Sequence, residues 1–123
     1  MRRLVVIALF SLVGCVTPSI PIPPPDPSQM MVTITPPDST STGTGVLSYP
    51  PNDQYNAGTA YVLNDTVGSG VIQRIDADGS FTTQPFPAVV GNQVVVSITT
   101  NQQTVSTCVV LRDGQQSGTD YCQ

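Results

Sequence analysis

The sequence predicts an all-β domain: a small β-sandwich of about seven antiparallel strands, preceded by a short apolar leader and a proline-rich spacer. Three observations predict it. Short segments show period-two alternation, clearest at Asn92–Thr100, where Val94, Val96 and Ile98 share one face. Val, Thr and Gly are common, Ala and Leu scarce, and Lys and Glu absent, a composition that favours strands over helices. Turn-forming clusters at Pro50–Asp53, Asn64–Gly70 and Asp76–Gly79 then divide the chain into strand-length pieces. No window from Met30 onward carries a helical apolar stripe.

The leader comes first. Arg2 and Arg3 precede an apolar run of eleven residues, Leu4 to Gly14. A membrane-spanning helix needs about 20 apolar residues. This run is too short to span and has the length of a secretion-signal core. It closes on L-V-G-C, Leu12 to Cys15. That ending resembles the lipobox of bacterial lipoproteins. The resemblance implies cleavage between Gly14 and Cys15, a diacylglycerol thioether on Cys15 and acylation of the new amine. The alternative is an ordinary secretion signal cut near Gly14, with Cys15 incidental. One acyl chain holds a protein only marginally, whereas two or three hold it firmly. The lipidated form therefore has the lipid bilayer as its partner through Cys15. In enterobacterial lipoproteins an Asp after the cysteine favours the inner membrane, and Val16 stands there instead. The implied address is the bacterial cell envelope, at the outer membrane, with residues 1–14 removed.

Residues 15–29 form the expected tether. Six of the fourteen residues from Val16 to Gln29 are Pro. Pro offers no N–H to a strand ladder and fixes φ near −65°, so the run favours polyproline II and could hold a domain up to roughly 40 Å from a membrane. A ligand for a proline-binding domain is the sharper reading of the same run. A second polar stretch, Pro36 to Gly45, is either a long loop or more tether.

The domain is expected over 30–123. Candidate strands are Met31–Thr35, Gly45–Tyr49, Thr59–Asn64, Val71–Ile75, Ser80–Gln84, Asn92–Thr100 and Thr104–Leu111. The last two are joined by Asn101-Gln102-Gln103 and predict a hairpin. Met30 to Gly114 resembles bacterial Ig-like modules and the carboxypeptidase-regulatory-like modules of exported proteins. The likeness rests on V-I-Q-R-I-D-A-D-G-S-F-T and P-A-V-V-G-N-Q-V-V-V-S-I. It implies Phe81 as the core aromatic and Gly79 and Gly91 as turn residues. The Ig core Trp and an inter-sheet Cys pair are missing. Such a scaffold hosts many functions.

Composition excludes much chemistry. After the leader, Arg74 and Arg112 stand against eight Asp, a side-chain charge of −6. Nucleic-acid binding needs Lys and Arg to displace counterions, and a polybasic membrane patch needs them too, so neither is expected. Charged residues are 10% of the chain, well under the usual quarter or so. Ser, Thr, Gln and Asn must supply solubility instead. The chain has no His, so no Ser–His–Asp or Cys–His arrangement can form.

The remaining candidates are few. With Cys15 accounted for, Cys108 and Cys122 are left as an expected disulfide in an oxidising compartment. Two separate thiols are the alternative, and no C-x-x-C spacing marks a redox pair. Asp76 and Asp78 with Gly79 resemble the opening of a calcium loop, but the later acidic ligands are missing, so the ordinary reading is a hairpin turn. No cofactor or structural metal is expected. Tyr49, Asn52, Asp53 and Tyr55 flank or form a loop that could contact a protein or glycan; Tyr61 and Tyr121 could stack likewise. A partly buried strand-end Tyr is the plainer reading. The expected function is a non-enzymatic contact or structural module in the envelope. A calcium-stabilised adhesin-like module and a small Asp-dependent hydrolase are the alternatives.

Overall fold

Two antiparallel sheets stack face to face, and the alternation of side chains along each strand decides what lies between them. A computed structural model describes residues 21–38, 41–101, 103–117 and 122. Among these residues there are nine strands: β1 (Met31–Thr35), β2 (Thr44–Tyr49), β3 (Thr59–Asn64), β4 (Ser69–Arg74), β5 (Phe81–Thr82), β6 (Phe86–Pro87), β7 (Gln93–Thr99), β8 (Thr104–Val110) and β9 (Gly114–Gln115). One sheet runs β5-β2-β1-β9, with β6 also paired to β2; the other runs β4-β3-β7-β8. The seven expected strands are all present, trimmed or shifted by a few residues. Two-residue β6 and β9 are additional, each too short to leave a periodic trace.

The core follows the predicted faces. Val94, Val96 and Ile98 of β7 are fully buried, in one core cluster with Val32, Ile34 and Leu47 of the other sheet. Phe81 and Phe86 fill the same core. Each such side chain contributes about 1.5–3 kcal/mol when removed from water. The β7–β8 hairpin is paired from Gln93 with Val110 to Thr99 with Thr104, as its alternation predicts. Gly79 turns at φ +87°, and a Cβ there would sit 1.8 Å from the Asn52 carbonyl oxygen. Only glycine fits that approach. Gly91 also turns, at φ +93°. The stretch from Pro36 is the β1–β2 loop, with Gly45 already inside β2.

One expectation is corrected. The proline run is not a free spacer as far as Gln29. From Ile22 it lies along the seam between the sheets, with Pro25, Pro27 and Met30 buried. The reason is its lack of donors. A proline-rich strap presents mainly carbonyl oxygens, and inward-turned hydroxyls meet them. Tyr55 Oη donates to Pro23 O at 2.6 Å and Thr107 Oγ1 to Pro25 O at 2.7 Å. The few N–H groups are also held: Ile22 N donates to Gln103 Oε1 at 2.8 Å and Asp26 N to Tyr49 Oη at 3.0 Å. The strap ends in a 3₁₀ turn, Pro27–Gln29, capped by Asp26. Cys15 and the leader lie outside the described residues.

Candidate functional site

Of the two readings of the loop 49–55, the buried strand-end Tyr is the nearer, and the contact loop is not formed by the tyrosines. Tyr49 and Tyr55 point inward and are almost fully buried. Tyr49 stacks on Phe81, with ring centres 5.7 Å apart, and meets Tyr55 at a tilt, 5.8 Å away. Removal from water pushes both phenols above their ordinary pKa. These tyrosines are therefore unavailable for stacking on a sugar or protein. They brace the strap instead, because a ring that fills the core can still reach a seam carbonyl with its hydroxyl. Asn52 caps the turn Asp53–Tyr55 by accepting from Gln54 N at 2.9 Å, and Asp53 is exposed. Tyr121 lies outside the described residues.

The acidic candidates serve the backbone. Asp78 Oδ1 accepts from Ser80 Oγ at 2.6 Å and Ser80 N at 2.9 Å. These bonds hold its carboxyl below the usual carboxylate range. The main chain of Asp76 closes the turn, donating to Ser80 O and accepting from Gly79 N, both at 2.9 Å. Among the described residues, no group of three or more His, Cys, Asp or Glu is gathered as a metal site would need. Asp26 Oδ1 accepts from Ser28 N, and Asp113 Oδ1 from Ile34 N at 2.8 Å. The carboxylates of Asp26 and Asp78 thus hold local turns, and that of Asp113 ties the segment after β8 to β1.

Cys108 and Cys122 form a disulfide, their Cα atoms 5.3 Å apart. The bond does more than close a loop. Cys122 N donates to Cys108 O at 3.1 Å. Main-chain pairing of β7 with β8 uses the alternate residues Val105, Thr107, Val109 and Leu111, as the Leu111 N to Asn92 O bond of 2.9 Å fixes. Cys108 therefore faces the outer rim of the sheet, where the tail residue meets it.

The opposite border carries a feature that alternation alone passed over. Tyr61 and Leu63 on β3 and Ile72 on β4 are 40%, 43% and 68% exposed on the outer face. Tyr61 lies opposite Ile72, and Leu63 opposite Gly70, so the three form one apolar stripe, beside a depression of about 300 Å³. The signal lay in A-Y-V-L, Ala60 to Leu63, where outward and inward positions are both apolar. A strand with one wet face ordinarily alternates. A second apolar hollow, about 390 Å³, lies at one end among Val67, Pro87, Ala88 and Val89. Among the described residues, no helix is long and apolar enough to cross a membrane. No protein-family model, curated protein or solved structure matches this chain significantly.

Proposed function

We propose that this chain is an exported lipoprotein. Acylated on Cys15, it sits in the bacterial envelope and presents a non-enzymatic sandwich for protein or glycan contact, or as a structural surface component. The address rests on the L-V-G-C ending of the leader. The contact role rests on the apolar stripe Tyr61, Leu63 and Ile72, exposed on a domain otherwise solubilised by uncharged polar groups. Exposed contiguous apolar surface marks interaction sites. The absence of His, Lys and Glu and the structural use of Asp26, Asp78 and Asp113 support a binding rather than a catalytic part.

The strap limits how far the module stands from its anchor. With packing under way at Ile22, seven residue steps separate it from Cys15, a reach of at most about 25 Å. The turn carrying Gln103 is then the membrane-near end. Metabolic labelling with a clickable fatty acid tests the address. The wild-type chain takes up label and sediments with membranes, while Cys15→Ser is unlabelled and leaves the membrane fraction. An unlabelled wild-type chain overturns the lipoprotein reading.

A further inference from the structure

We infer that β4 is a self-pairing edge, through which a second copy of this chain extends the four-stranded sheet across a two-fold axis at Ile72. The main-chain register carries the inference. Asp65 N donates to Gln93 O at 2.8 Å, and Ile75 N to Gly58 O at 2.9 Å. In an antiparallel ladder, residues alternate between bonding one neighbour and the other. These two bonds therefore assign Ser69, Val71 and Gln73 to pairing with β3. Gly70, Ile72 and Arg74 turn their N–H and C=O groups to the open rim. Among the described residues no strand pairs with that rim. Among the described residues, β5 and β6 of the facing sheet pass near β4, and the hydrogen bond at the rim itself is that of the Gln73 side-chain amide on the Arg74 carbonyl, at 3.3 Å.

Exposed edges are ordinarily blunted by Pro, Lys, a bulge or a covering segment. Among the described residues the edge S-G-V-I-Q-R has no Pro, no Lys and no covering strand, and its one charge is Arg74 at the end. It is also self-complementary. Antiparallel pairing of Ile72 with Ile72 of the second copy uses rim-facing residues on both sides, as does pairing of Gly70 with Arg74 of the second copy. This gives about six main-chain hydrogen bonds, of which the one at each Arg74 carbonyl replaces the Gln73 side-chain amide. The same register leaves room for the Arg74 stem over a glycine. It also brings that cation to the turn that follows Asn64 in the other copy, which carries Asp65, so the charges match. On the outer face the stripe becomes continuous: Leu63, Tyr61 and Ile72, then Ile72, Tyr61 and Leu63 of the second copy. A closed two-fold contact of this kind uses the same patch twice.

The test uses the full chain in intact cells. In this register the two Ile72 Cα atoms lie about 5.5 Å apart, within disulfide reach. Ile72→Cys is expected to give a reducible dimer on mild oxidation. Tyr61→Cys, one strand further from the axis on each side, is expected to give none. The wild-type chain run alongside shows any cross-link made through Cys15, so failure of the lipid reading is distinguished from failure of this one. In light scattering of the purified chain, wild type is expected at twice the monomer mass and Ile72→Asp at the monomer mass, with unchanged circular dichroism. A monomeric wild type with no Ile72→Cys dimer overturns the inference. A dimer that survives Ile72→Asp also overturns it, by placing the interface elsewhere. So does a monomeric wild type carrying a foreign polypeptide that Ile72→Asp releases, which would assign the edge to strand addition by another protein.

Discussion

Strands β8 and β4 both border the four-stranded sheet, and they meet solvent in opposite ways. The rim of β8 is engaged at Cys108 by the tail residue Cys122, through a disulfide and a main-chain hydrogen bond. Beside it, Thr107 reaches inward to the strap at Pro25. Among the described residues no strand pairs with the rim of β4, the strand holds no proline, and its outer face carries the exposed Ile72 beside Arg74. An unpaired edge is a template for another strand. The disulfide holds a tail residue against one border at Cys108, and no such link is seen at the other among the described residues. The strap is held on the side of β8, by Gln103 and Thr107.

The comparison can be broken most severely on the closed side. Tyr55→Ala removes a fully buried ring together with the strap's hydroxyl donor. It is expected to cost about 3–5 kcal/mol, read by chemical denaturation, with faster proteolysis near Pro23. Replacing both Cys108 and Cys122 by Ala should cost about 3 kcal/mol. It should also raise hydrogen exchange along β8 while leaving β3 and β4 unchanged. Equal loss of protection at β4 would show that the two borders are not independent. Tyr55→Phe keeps the ring and leaves the Pro23 carbonyl without its donor, a cost of about 1 kcal/mol.

Alkaline pH probes the same seam. The phenols of Tyr49 and Tyr55 are raised in the folded state, mainly by burial. Their contribution is complete below the unfolded value near 10. Above it, the unfolded chain loses protons that the folded chain retains, so stability falls. Denaturation midpoints should therefore drop as pH rises past that value, and the drop should shrink in Tyr55→Phe. The smallest effect is expected on the open side. Ile72→Asp alters a side chain 68% exposed and should change the stability of the single domain by no more than about 0.5 kcal/mol, whatever it does to self-association.

Much of this was legible residue by residue. Val94, Val96 and Ile98 announced a buried face, Gly79 a turn at positive φ, and Phe81 a core aromatic, because each depends on local periodicity or backbone sterics. Tyr49 and Tyr55 were harder. The segment P-P-N-D-Q read as a loop with partly buried tyrosines at its ends, and their complete burial depends on a core space shared with distant Phe81. The strap was misread for a related reason. Proline content reports stiffness and missing donors, but not whether hydroxyls from Tyr55 and Thr107 wait at the right spacing. The exposed stripe left a trace in A-Y-V-L, yet a run of apolar residues reads equally as a strand buried on both faces.

By itself, the sequence determined the all-β class, the face that β7 buries, the positions of the turns and the absence of His, Lys and Glu chemistry. These follow from side-chain period, backbone sterics and composition, which are local or global properties of the chain. Only the tertiary structure decided which strands became borders, that the proline run seals the seam from Ile22, and that the main chain of Gly70, Ile72 and Arg74 faces a rim with which no described strand pairs. Those outcomes depend on which segments become neighbours. An edge is defined by the strand that is not beside it, and no periodicity within β4 encodes that.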